Sequence, residues 1–150
     1  MAEDINNILS GIKRSLKEDK EEKWYDYLFA ILLNLILLYI ANNLIYWNLS
    51  FIAASFSNVL WAVNLSLIVA VVANVSFILY DPRWFKICSK IIMNITALVA
   101  AFTLLTVFPF VINQFILVLG LKIILIIGIL ASVVSILFQI MKLAYLMASY

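Results

Sequence analysis

The stretch LYDPRWFKICSK, residues 79–90, holds Asp81, Arg83, Lys86 and Lys90, the only charged side chains between Tyr27 and Leu121. Upstream of it, the 54 residues from Tyr27 to Tyr80 carry no charge, and downstream neither do Ile91 to Leu121. A helix crosses the hydrocarbon core of a bilayer with about 20 apolar residues. The upstream run is therefore long enough for two crossings, and residues 79–90 mark the turn between the second and a third. Asp-Pro is a helix-start signal: Asp81 is expected to cap, with Pro82 in the first helical position. Arg83, Lys86 and Lys90 follow at steps of three and four, which puts them on one helical face. Beside Trp84, that face reads as an anchor at the membrane surface. An active-site reading of Asp81 has little behind it, because no second carboxylate or histidine stands near.

Four spans emerge on working outward from this turn: 28–47, 59–80, 87–108 and 115–141. The first pair breaks in NLSFIAASFSN, residues 48–58, where Asn and Ser concentrate. The second pair breaks near Pro109, Asn113 and Gln114, residues that favour turns. The fold class expected is all-α, a polytopic membrane protein with a four-transmembrane-helix bundle. Residues 1–26 form a charged cytoplasmic head and residues 27–150 the transmembrane domain.

Composition supports the same division. The chain is 67% hydrophobic and 12% charged, against about 25% charged in a soluble domain. Of the eighteen charges, twelve fall in the first 26 residues and six in the remaining 124. The net charge is only +2, and half of the ten Lys and Arg are interleaved with acids in the head, so no basic stripe for nucleic acid exists. A single cysteine, Cys88, excludes an internal disulfide framework. Histidine is absent, which removes the commonest general base and metal ligand. No cofactor motif is present, and the expected partner is the lipid bilayer.

Orientation follows from lysine and arginine, which accumulate on the cytoplasmic side. Lys13, Arg14, Lys17, Lys20 and Lys23 precede the first span, Arg83, Lys86 and Lys90 follow the second, and Lys142 follows the fourth. Four crossings put all nine on one face and leave Lys122 near the other. Trp24 and Trp84 then fall at the inner boundary, Trp47 and Trp61 at the outer one, where indoles prefer to sit. The expectation is a multi-pass protein of the cell membrane with both termini cytoplasmic.

In the head, Ile5, Ile8, Leu9, Ile12 and Leu16 recur at the spacing of one helical stripe. An amphipathic helix next to a membrane span is expected to lie in the interface, or to pack against another subunit. Gly11 in its middle costs about 1 kcal/mol relative to Ala in a helix.

Inside the spans there is no Asp, Glu or Arg. Ion-coupled transport relies on intramembrane carboxylates or histidine, and catalytic triads and metal sites lack their residues, so an enzyme is not expected. The spans do contain amides and hydroxyls. Asn34, Asn74 and Asn94 come from three helices at similar depth, and Ser132, Ser135 and Gln139 bring the fourth to the same level. This polar layer serves either as packing glue between helices or as the lining of a water path. Glycine is scarce, Pro82 and Pro109 fall at span ends, and no Gly or Pro interruption of the kind that marks transporter sites is expected in a span. The function expected is a homo-oligomer forming an ion channel or pore. The alternative is a non-conducting scaffold, accessory subunit or assembly factor bound to another membrane protein, with a lipid-modifying enzyme a distant third.

Overall fold

A computed structural model describes residues 1–149, with residues 19–21 described in their backbone only. The described chain is all-helical apart from one isolated backbone bridge. Helix α1 spans Ala2–Glu21, α2 Trp24–Asn43, α3 Ser57–Leu79, α4 Arg83–Val107 and α5 Phe115–Ala148. The last four are long and apolar enough to cross a membrane. At 1.5 Å per residue, α2 is about 30 Å long, α3 about 35 Å and α4 about 38 Å, matching a hydrocarbon core of about 30 Å. With 34 residues, α5 extends about 51 Å and overshoots that thickness.

Local chemistry sets the boundaries. Helix α2 starts at Trp24, ahead of the charge-free run, because the Asp26 carboxylate accepts the Lys23 N–H at 3.0 Å, an acid at the third position reaching back to the cap. It ends at Asn43, earlier than the predicted Trp47, and the chain then turns through Asn48 at φ 49°. Helix α4 stops where Phe108 adopts a left-handed conformation, φ 42°, and donates its N–H to Leu104 O at 2.9 Å. Nothing breaks α5 after Met141, so it runs about two turns further, to Ala148.

The Asp-Pro start differs from its expectation. Pro82 itself is the N-cap, without a side-chain cap, and Arg83 is the first helical residue. Asp81 binds the Lys86 ammonium instead.

Consecutive helices pack as neighbours: α2 on α3, α3 on α4 and α4 on α5. Among the described residues α2 and α5 do not form a packed pair. At one end of the array, α1 rests on α4 and α5 by burying Ile12 and Leu16 against Ile87 and Leu146. The N-terminal helix, the α3–α4 turn and the end of α5 therefore share one end of the molecule. At the opposite end the two connecting loops are pinned together. Ala53 N–H donates to Pro109 O and Val111 N–H to Phe51 O, each at 2.9 Å. Lys122 reaches that end too, its Nζ lying 5.0 Å from the centre of the Phe108 ring.

Large apolar side chains cover the outside. On α5 alone, Ile116, Ile124 and Val134 are 80%, 66% and 64% exposed. Soluble proteins rarely display contiguous apolar patches beyond a few hundred Å². Four helices with this surface make a membrane protein the natural reading.

Candidate functional site

A cleft of about 420 Å³ opens between the four long helices. Helix α2 contributes Asn34 to its wall, α3 Ser66 and Ala70, α4 Lys90, Met93, Asn94 and Ala97, and α5 Ser135 and Gln139. Its lining is thus amide, hydroxyl and small side chains, with Lys90 as the charge. The small residues Ala70 and Ala97 leave the space, since nothing larger fills the gap that α2 and α5 leave by not packing together.

The amides in this region bond along their own helices. Asn34 donates to Ala30 O at 2.7 Å, Asn74 to Ala70 O at 2.7 Å and Asn94 to Lys90 O at 2.9 Å. Ser132 does likewise, donating to Gly128 O at 2.9 Å. An amide satisfied through its N–H in this way still carries an acceptor oxygen. Gln139 is the sharpest case. It is 8% exposed, and among the described residues its Oε1 is buried with no hydrogen-bond partner. A buried acceptor left alone costs about 1–3 kcal/mol. At about 30 Å³ per water, the cleft has room for roughly a dozen.

Of the six residues expected to form a polar layer, four meet here: Asn34, Asn94, Ser135 and Gln139. Asn74 and Ser132 do not line the cleft. Asn74 is buried at 6% exposure, on the same helix as Ala73 and Phe77, which pack on Tyr27.

At the end of the cleft nearer α1 stands a charged cluster. Lys90 Nζ lies 3.2 Å from Glu22 Oε1, and Glu22 Oε2 accepts the Tyr27 hydroxyl at 2.9 Å. Lys86 binds Asp81 and sits 5.2 Å from the centre of the Tyr27 ring. Lys86 is only 3% exposed. This corrects the expectation that Arg83, Lys86 and Lys90 present one face to headgroups. Arg83 is exposed, whereas Lys86 points into the protein and Lys90 into an ion pair. The reason is that Glu22, from the short link between α1 and α2, and Asp81, from the α3–α4 turn, bring carboxylates to the inner side of α4. Trp24, Trp47, Trp61 and Trp84 are all exposed, two near each end of the array.

One pairing escaped the sequence reading. Asn42 and Asn64 exchange hydrogen bonds, Asn42 Nδ2 to Asn64 Oδ1 at 2.8 Å and Asn64 Nδ2 to Asn42 Oδ1 at 3.0 Å. They join α2 to α3 toward the looped end. The available signal was an Asn within about two turns of each side of that loop.

Comparison with protein-family models, with curated proteins and with solved structures finds no match to this chain.

Proposed function

We propose that this chain is a small integral membrane protein that assembles as a homo-oligomer and forms a channel or pore. The observation that carries the reading is the amide- and hydroxyl-lined cleft, to which all four long helices contribute. Polar groups within spans are costly and mark solute paths or helix contacts. The bonds of Asn34 and Asn94 run along their own helices, which speaks for the path over interhelical glue. A second copy packed over the gap between α2 and α5 completes the wall that the single chain leaves unbuilt. Amide and hydroxyl linings lack the carbonyl or charge rings of selective filters, so conduction is weakly selective. In this reading both termini are cytoplasmic, and Ile5 and Ile8, about half exposed on α1, lie in the headgroup interface.

Flux of potassium and chloride from liposomes containing the purified protein tests the reading. Measurable flux that falls several-fold in Asn34→Leu or Asn94→Leu supports it. Absence of flux for both ions over a broad voltage range overturns it, and favours a scaffold or accessory subunit that meets its partner through α1.

A further inference from the structure

At the α1 end of the molecule lies a second cavity, of about 640 Å³, walled by Lys13, Leu16 and Lys17 of α1, Arg83 of α4, Tyr145 and Leu146 of α5, and Ser149 just beyond it. Docking of α1 creates it. Leu16 is buried against Ile87 and Leu146, and the lysines on either side of it in the helix are carried toward Arg83. Three cations from two elements thus face one space, and among the described residues no carboxylate lines it. Among the described residues none of the three forms an ion pair; the acid nearest in sequence, Glu18, is engaged by Arg14 at 3.4 Å. Arg83 also opens α4, a helix of 25 residues whose N-terminus has no side-chain cap and so offers its first N–H groups and positive dipole end to an anion. Exposed Trp84, next in the chain, places the cavity at the depth of the membrane interface.

We propose that this cavity binds a phosphoryl anion, held by Lys13, Lys17 and Arg83 with Tyr145 at its edge. Guanidinium and ammonium groups around a phosphate make charge-assisted hydrogen bonds, and basic pockets at the cytoplasmic face of membrane helices take anionic headgroups. The same groups accept the phosphate of a soluble molecule. In either case the anion bridges α1 to α4 and fixes the docked head. The inference does not depend on whether the protein conducts.

The test is retention of lipid by the full-length protein, extracted in mild detergent and weighed intact by mass spectrometry, with phosphatidylglycerol and phosphatidylcholine as probes. Inorganic phosphate serves in a separate binding titration. Preferential retention of phosphatidylglycerol identifies a lipid source, and saturable binding of inorganic phosphate identifies a soluble one. Each single neutralisation, Lys13→Gln, Lys17→Gln or Arg83→Gln, is expected to weaken the binding roughly five-fold, and Lys17→Arg to restore it. Arg14→Gln, on the same helix but outside the cavity, is expected to leave it unchanged. Binding of neither probe, or a loss in Arg14→Gln equal to that in Lys17→Gln, overturns the site. Thermal melting of each variant, expected to match the parent in lipid-free detergent, separates lost binding from lost folding.

Discussion

Gln139 carries a contradiction at the scale of a single side chain: a strongly polar group, buried, with its oxygen unanswered inside the protein. Stability alone favours an apolar residue at this place. Gln139→Leu is accordingly expected to raise stability by about 1 kcal/mol while lowering flux, and thermal melting alongside liposome flux reads the two effects. Loss of stability in that variant means that the Gln139 amide contributes bonds or packing that leucine does not replace. Asn42 and Asn64 behave in the opposite way, because each satisfies the other. A double-mutant cycle with leucine at both positions is expected to show a coupling of about 0.6 kcal/mol, the average for polar pairs in membrane helices; additive losses exclude the pair. Residue types and spacing made the polar layer legible in the sequence, but not the direction of its bonds. An asparagine one turn beyond a carbonyl can turn back on its own helix, and Asn34, Asn74 and Asn94 all do. Lys86 was misplaced for a related reason. Its spacing from Arg83 and Lys90 defined a face, whereas its position was decided by Asp81 and Tyr27, whose proximity only the fold reveals.

The helices themselves were legible wherever a charge-free run met a polar break. The spans expected at 59–80 and 87–108 coincide closely with α3 and α4. Both errors on α2 trace to its ends, where Asp26 starts the helix early and the turn through Asn48 stops it early. The excess length of α5 went unseen because Lys142 reads as a boundary. In the structure Lys142 is 2% exposed, its Nζ 5.2 Å from the centre of the Phe138 ring, and the helix continues past it to meet α1. That meeting rests on few contacts, so α1 is the element most easily released. Leu16→Ala is expected to weaken its docking by about 2 kcal/mol. Amide hydrogen exchange within α1 then rises by roughly thirty-fold, with exchange in α3 and α4 unchanged. Equal exchange in parent and variant means that α1 is held by something other than Ile12 and Leu16.

For the whole molecule, the consequence of consecutive packing is an array whose first and last long helices do not close on each other, with a polar cleft where they leave room. The order of charges along the chain foretold that the head, the 79–90 turn and the end of α5 share one end, because charge is a property of position along the sequence. It did not foretell the open side, which depends on how small residues such as Ala70 and Ala97 let some helices approach and leave others apart. The central claim is that water occupies this cleft. Single cysteines at positions 34, 94 and 139, and at the outward-facing position 124 as a control, test it in a Cys88→Ser background. The reagent is a membrane-impermeant thiol label applied to the assembled protein in sealed vesicles. Fast labelling at 34, 94 and 139 with none at 124 is the predicted result; protection of the three cleft positions to the level of 124 contradicts it.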